Sequence, residues 1–303
     1  MTLPTSAHAA VQQHLIELGR RMAAAALPPQ IAARAAMGEY FTAPPLPSVV
    51  RLPASAANMP AEWLLGPDAD GSRRLLFLHG GGYVAGGITA YRNFAMWIAQ
   101  ATRCAVLLIE YRLAPEHPFP AALDDAVTAF GWMREHGPDG PAPSRRAFLL
   151  GDSAGGGLAL ATLLALQQRA AGRADGAVTF SAWTDLTNSG ASMTENQDPR
   201  LGTVKAVPDL FAELYLQGTD PTHPLASPLF ADLEGLPPLL MQASAAEQFR
   251  DDTVRVAHKI FAAGGEVHLD IWPDLTHVWQ GFAPQLPEAV AALCRAGEFI
   301  QAI

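Results

Sequence analysis

From residue 61 onward the apolar positions fall into two alternating rhythms. Short runs rich in Leu, Val and Phe occupy residues 74–78, 104–110, 147–150, 177–182, 239–243 and 267–272. Between them, apolar residues recur at helical spacing over 121–135, 155–171, 252–263 and 288–300. The first pattern fits strands buried on both faces, and the second fits amphipathic helices. Their alternation predicts βαβ units, hence an α/β fold with a mainly parallel central sheet flanked by helices. In such sheets ligands gather at the C-terminal ends of the strands.

Two stretches stand outside this rhythm. The first 40 residues carry Leu15, Leu18, Met22 and Ile31 at helix-like spacings, interrupted by Pro28 and Pro29. Between Trp183 and residue 239 no clear strand occurs, and residues 207–216 form an amphipathic pattern with Leu210, Phe211, Leu214 and Tyr215. Together they predict a helical cap, about 1–40 and 190–222, over the strand ends of one domain spanning 1–303.

Composition narrows the class. Half of the 303 residues are hydrophobic and 16% are charged, against about 25% charged in ordinary soluble domains. With a mean hydropathy of +0.12, a large buried core is expected and intrinsic disorder is not. Twenty basic against 29 acidic residues leave a net charge of −9, which disfavours nucleic acid as a partner. Residues 1–10 have neither a basic start nor an apolar core, and no apolar run reaches 18 residues. A secretory signal and a membrane span are therefore not expected, and a cytoplasmic location is. Cys104 and Cys294 cannot build a disulfide framework and read as packed thiols.

Two motifs carry chemistry. Gly151-Asp152-Ser153-Ala154-Gly155 joins a strand to a helix, the setting in which Gly-x-Ser-x-Gly forms a sharp elbow that lifts the serine hydroxyl above the sheet. His79-Gly80-Gly81-Gly82 follows the strand at 74–78, leaving backbone N–H groups able to point into a cavity. An acyl-transfer site needs such donors where a carbonyl oxygen becomes negative. Gly81 and Gly82, with the amide of Ala154, are the candidates. Of nine histidines, His79 belongs to the glycine motif, and of those after the elbow only His277 lies in a loop leaving a strand with the C-terminal helix still to come, so it is the candidate base for Ser153. For the acid that orients it, Glu247, Asp251 and Asp252 follow the run at 239–243. Glu247 lies in the loop leaving the strand, whereas Asp251 and Asp252 fall where a helix begins and read as caps.

These segments resemble the hormone-sensitive-lipase family of α/β-hydrolase esterases. The resemblance spans residue 74 to the C-terminus. It rests on residues 79–83 and 151–156, on Tyr111-Arg112-Leu113-Ala114-Pro115-Glu116-His117-Pro118-Phe119-Pro120-Ala121-Ala122, on Trp183-Thr184-Asp185-Leu186, and on His277-Val278-Trp279. It implies an α/β-hydrolase fold and a carboxylic ester hydrolase with a Ser–acid–His triad, without metal or cofactor. It aligns Glu247 with the catalytic acid and Asp251 with a second, structural one. Here Glu247-Gln248-Phe249-Arg250-Asp251 departs from the family's Asp-Pro-Leu-Arg-Asp. Arg112, Glu116 and Asp124 read as a buried polar network bracing the sheet edge beneath the elbow, and the resemblance likewise suggests structural roles for them, homodimers, and a cis bond at Ala114-Pro115 or Phe119-Pro120.

No metal-ligand spacing, dinucleotide fingerprint or P-loop lysine accompanies these motifs, so no cofactor is expected. The expected activity is hydrolysis of short- to medium-chain esters through an acyl-enzyme, with Phe211, Leu214 and Tyr215 as candidate pocket walls. A lactonase or deacetylase could use the same triad. A binding protein that has lost catalysis is the rival from another class, and His277 argues against it.

Overall fold

The computed structural model describes residues 6–170, 172–197 and 206–303. Helices α1 (Ser6–Ala24) and α2 (Pro29–Tyr40) open the chain, parted at Pro28. Pro29 occupies the first turn of α2, where its missing N–H is harmless. Then come β1 (Val50–Ala56), β2 (Met59–Leu65), β3 (Asp70–Leu78), α3 (Ile88–Thr102), β4 (Cys104–Ile109) and α4 (Ala121–Glu135). A minute hairpin, β5 (His136–Gly137) and β6 (Gly140–Pro141), leads to β7 (Arg146–Asp152), α5 (Ala154–Gln168) and β8 (Gly176–Phe180). The short α6 (Ser192–Glu195) and α7 (Ala206–Leu216) precede β9 (Leu239–Ser244), α8 (Arg250–Ala262), β10 (Val267–Trp272) and α9 (Pro287–Ala302).

Among the described residues the main sheet has eight strands in the order β1-β2-β4-β3-β7-β8-β9-β10. It is parallel from β4 to β10 and antiparallel along β1, β2 and β4. This is the α/β-hydrolase arrangement that the motifs imply. Each of the six strands expected from the sequence is present, and the expected helices end within a few residues of the observed ones. The expected end of α5, Ala171, lies outside the described residues.

The minute hairpin and α6 left no pattern of their own, and β1, β2 and α3 were not legible as elements either. The burial of β1 alternates and it carries Pro53, which suits an edge strand and gives no apolar run. The hairpin partner β2 is interrupted by Pro60 and Glu62, which leaves Trp63 to Leu65 as its one short apolar run. Helix α3 has helical spacing at Tyr91, Phe94, Ala95, Ile98 and Ala99, but that pattern runs almost directly into the apolar residues of β4.

The sheet sorts its side chains by parity, since neighbours on a strand face opposite ways. Leu76 and Leu78 join the core with α4, α5 and α8, whereas Leu75 and Phe77 join the core with α3 and α9. Every residue of α5 from Ala154 to Leu166 is buried, as expected of a helix that is apolar all round. It can therefore hold the elbow at its N-terminus immobile.

Some expectations fail. Cys104 is buried but Cys294 is exposed on α9. Arg112, Glu116 and Asp124 do not form a buried network. They make separate, half-exposed ion pairs with Asp125, Arg34 and Arg169 respectively. Their loop and the first turn of α4 meet solvent, so each charge takes a partner from a different segment. The bonds at Ala114-Pro115 and Phe119-Pro120 are both cis, as is Ala283-Pro284.

Among the described residues the buried arginine is Arg74, 2% exposed, at the other end of α4. Its guanidinium donates to the carbonyls of Gly71 at 3.0 Å, Met133 at 2.8 Å and Arg134 at 3.2 Å. It thereby ties β3 to the negative end of α4. Arg74→Met would take the charged donor from the Gly71 and Met133 carbonyls, Arg134 keeping the N–H of Ser144 at 2.7 Å, and should lower stability by about 2–4 kcal/mol. Urea unfolding measures this, and a loss below about 1 kcal/mol would refute it.

Candidate active site

Strand β7 ends at Asp152 and α5 begins at Ala154, so Ser153 must reverse the chain alone, with φ 52° and ψ −122°. That conformation is costly for a residue with a Cβ and persists only where the surroundings enforce it. Here they do. A Cβ on Gly155 would lie 2.0 Å from the carbonyl oxygen of Leu78, and one on Gly151 would lie 2.0 Å from that of Gly155. The Ser153 N–H donates to Phe180 at 2.8 Å, and its carbonyl accepts from Gly156, Gly157 and Trp183.

Two loops deliver side chains to this serine. His277, in the loop after β10, has its Nε2 2.9 Å from Ser153 Oγ. Its Nδ1 lies 2.6 Å from Glu247 Oε2. A carboxylate only accepts, so Nδ1 carries the proton and Nε2 presents a lone pair to the hydroxyl. Glu247 is 1% exposed, and its Oε1 accepts the N–H of Ser244 at 2.8 Å. The His277 loop is pinned on both sides: Leu275 N–H donates to Ser244 Oγ and Val278 N–H to Ser181 Oγ.

Asp251 and Asp252 are engaged elsewhere. Asp251 accepts from the N–H of Ser192 and from the Arg250 guanidinium. Asp252 accepts from the N–H groups of Thr184 at 2.7 Å and Asp185 at 2.9 Å. Neither caps its own helix, whose N-cap is Phe249 without a side-chain bond. They brace other loops instead, so the expected capping role is corrected.

The glycine motif lies beside the serine with Gly81 and Gly82 at φ 107° and 64°. Among the described residues the amides of Gly81, Gly82 and Ala154 donate to no protein acceptor. The loop is anchored from below: Gly80 N–H donates to Asp152 Oδ1 at 2.9 Å, and Tyr91 hydroxyl donates to Oδ2 at 3.2 Å. His79 is fully buried, stacked on Tyr111 with ring centroids 4.1 Å apart. Its Nδ1–H donates to the Gly80 carbonyl, and burial pushes its pKa down to about 4. It is a neutral strut.

A family profile described as the α/β-hydrolase fold matches residues 75–281. An acetyl-hydrolase of Streptomyces hygroscopicus is 42% identical over 241 residues, covering 80% of this chain and 79% of the relative. An esterase crystal structure assigned to the bacterial hormone-sensitive-lipase family superposes with a TM-score of 0.88 at 38% identity, covering 99% of both chains. The esterase EstE5, in a crystal soaked with p-nitrophenyl butyrate, gives a TM-score of 0.88 at 35% identity over 99% of both chains. The chain belongs to the hormone-sensitive-lipase family of α/β-hydrolase esterases.

As in any hydrolase of this fold, what surrounds the serine decides what can reach it. Ser153, His277, Gly81 and Gly82 open into a cavity of about 1040 Å³, walled by Leu15, Leu18 and Met22 of α1, Ala32, Ala33 and Ala36 of α2, and Leu210 and Phe211 of α7. It is at the top of the range for small-molecule sites. Of the three expected pocket residues only Phe211 lines it. Leu214 packs against the core, and Tyr215 stacks on Tyr83 with centroids 3.8 Å apart. Among the described residues no cluster of three metal-ligating side chains occurs, and no helix is long and apolar enough to cross a membrane. The expected cap segment 190–222 includes residues 198–205, which lie outside the described residues.

The residues that sequence reasoning passed over are the supports. Asp152 stands inside the elbow motif but fills a position where any residue is allowed, and Tyr91 lies on the unforeseen α3. Burial raises the carboxyl of Asp152 to about 7, against the opposing bonds from Gly80 and Tyr91. Burial also lifts Asp252 to about 8, with neighbouring Asp185 adding to it.

An unfolded aspartate titrates near 3.9, so between about pH 4 and pH 8 the folded chain holds protons the unfolded chain has released. Stability should therefore fall as pH rises through this window. Asp252→Asn keeps an acceptor for Thr184 and Asp185 but cannot ionise, so its melting temperature should decline less between pH 5 and pH 8. Parallel wild-type and variant curves would refute the assignment.

Proposed function

We propose that this hormone-sensitive-lipase family member, a carboxylic ester hydrolase, works through a triad of Ser153, His277 and Glu247. The observation that carries the reading is the unbroken chain Glu247 Oε2, His277 Nδ1, His277 Nε2, Ser153 Oγ, at 2.6 and 2.9 Å. The free amides of Gly81, Gly82 and Ala154 beside it give the second half of the machinery. Ser153 Oγ attacks the ester carbonyl while His277 Nε2 takes its proton, and buried Glu247 stabilises the imidazolium that forms. The carbonyl oxygen, now negative, is received by the three amides, each such donor being worth roughly 3 kcal/mol of barrier. His277 then passes its proton to the leaving alcohol. Water, activated in the same way, frees the acid from the acyl-enzyme.

Helices α1, α2 and α7 act in this reading as a cap on one catalytic unit, and their apolar walls select the substrate. Acyl groups of short to medium length are the preferred class. The name of the Streptomyces relative supports acetyl as an acceptable acyl group, and the EstE5 soak points to butyrate. The breadth of the cavity leaves room for several carbons more.

Initial rates on p-nitrophenyl esters from acetate to palmitate test both statements. The profile should peak below about ten carbons, and a maximum at palmitate would overturn the chain-length assignment. Ser153→Ala should abolish turnover. Glu247→Gln should lower kcat by roughly three to four orders of magnitude with the fold intact. Asp251→Asn should instead leave most activity and reduce stability; an inactive but folded Asp251→Asn beside an active Glu247→Gln would transfer the acid to Asp251. The wild-type kcat/KM should fall in acid, because a protonated His277 cannot accept the serine proton. A rate unchanged down to pH 4 would exclude it as the base.

A further inference from the structure

The glycine loop is held from below by Asp152, but its outer rim is held by a residue of a different element. Arg34, on α2, donates through Nε to the carbonyl of Val84 at 2.7 Å and through Nη2 to that of Ala114 at 2.8 Å. Nη1 and Nη2 also grip the two oxygens of Glu116 at 2.8 and 2.6 Å. The carboxyl of Glu116 is held down at about 2, chiefly by its hydrogen bond to this guanidinium.

Val84 belongs to the turn that the glycine motif begins. The Gly81 carbonyl accepts from the N–H groups of Val84 at 3.2 Å and Ala85 at 3.0 Å, while Ala114 N–H donates to Tyr83 at 2.9 Å. Any shift of Val84 is therefore passed to Gly81 and Gly82. On the same helix, Ala32, Ala33, Ala36, Met37 and Tyr40 line the cavity. Arg34 thus joins a wall of the cavity to the loop that carries the amides.

Magnitudes separate a functional clamp from a stabilising one. A half-exposed ion pair such as Arg34–Glu116 contributes about 0–1 kcal/mol to stability. Misplacing reacting groups by about 1 Å, in contrast, can reduce a rate on the order of a hundredfold. The planar five-donor fork of arginine can serve Val84, Ala114 and Glu116 together, and a lysine cannot reproduce that geometry.

We propose that Arg34 is a positioning residue, which sets the Gly81 and Gly82 amides against Ser153 and fixes the α2 wall relative to them. The proposal rests on the reading of Ser153 as nucleophile and of these amides as its oxyanion donors. Donors aimed at charge that develops only in the transition state affect kcat more than KM. The wall, in contrast, should affect the longer substrates through KM.

The test is a kinetic comparison of wild type, Arg34→Ala, Arg34→Lys and Glu116→Gln on p-nitrophenyl acetate and octanoate, normalised to active sites titrated with a phosphonate ester. Arg34→Ala should lose about ten- to a hundredfold in kcat on acetate with KM little changed, and on octanoate KM should also rise. Arg34→Lys should recover only part of this. Glu116→Gln, which leaves the bonds to Val84 and Ala114, should stay within a few-fold of wild type. Millimolar guanidinium should restore part of the kcat of Arg34→Ala and none of that of Ser153→Ala.

If titrated Arg34→Ala matches wild type on both esters, or Arg34→Lys is fully active, the assignment is overturned. If Arg34→Ala cannot be obtained folded, Arg34→Lys decides on the same criteria. An active Ser153→Ala would overturn the catalytic reading as well. An inactive Ser153→Ala beside an unimpaired Arg34→Ala would overturn the role of Arg34 alone.

Discussion

The turn from β7 into α5 constrains everything around it. A single residue reverses the chain there, and the backbone is so close on every side that glycines are required at 151 and 155. A Cβ on Gly157 would in turn lie 2.1 Å from the Trp183 carbonyl oxygen, so α5 lies directly against the loop leaving β8. The positive φ of Ser153 is sustained by this crowding, with α5 buried along most of its length behind it. A looser core would let the strain relax and the hydroxyl would sink toward the sheet. Packing density and the placement of one oxygen atom are thus the same requirement.

The elbow also transmits position sideways. Asp152, the residue before Ser153, accepts the Gly80 N–H, so the strand that carries the serine also anchors the start of the glycine loop. Because that carboxyl is fully buried and its pKa is raised by burial, its bonds to Gly80 and Tyr91 are made where water does not compete. Such bonds are stronger and more directional than the same pairs at the surface. From the far side Arg34 holds Val84. Between these two fixed points lie Gly81 and Gly82, which at φ 107° and 64° adopt a path that L side chains resist.

What could be read from the sequence follows from which forces are local. The six parallel strands, and the helices between them other than α3, were legible because burial on both faces writes an apolar run into the inner strands, while the edge strand β10 still shows Val267, Leu269 and Ile271 in alternation. Ser153, His277 and Glu247 were legible because each sits in a loop leaving the C-terminal end of a strand. Their meeting was expected from motif order and from the resemblance, but its geometry was not legible, since it depends on contacts 124 and 30 residues apart in the chain. The edge hairpin β1–β2 left no apolar signature because one of its strands meets solvent. Arg112, Glu116 and Asp124 misled for the opposite reason: clustered in sequence, they are separated in space by their partners. Asp251 and Asp252 stand where helix caps are common, and only the fold reveals that their acceptors reach back to Ser192 and to Thr184 and Asp185.

The departure from the family pattern at residues 247–251 has a physical reading of its own. Glutamate is one methylene longer than aspartate, and Glu247 uses both oxygens in opposite directions, Oε1 back to Ser244 N–H and Oε2 out to His277. The carboxylate is thereby fixed by the end of β9 itself, without help from a rigid following residue. Where the family has proline, Gln248 carries a side-chain amide whose Nε2 donates to the Met193 carbonyl, while its backbone carbonyl, an acceptor that proline would also offer, takes the Ser192 hydroxyl. The next residue, Phe249, packs its ring 5.0 Å from that of His277 and 5.8 Å from that of Trp183. Proline restricts a loop by removing its freedom in the unfolded chain, whereas this sequence restricts it by contacts made only in the fold. Those contacts reach α6 and, through Phe249 and Trp183, the wall of the cavity, so in this chain the loop that orients His277 is coupled to residues that line the space in front of Ser153.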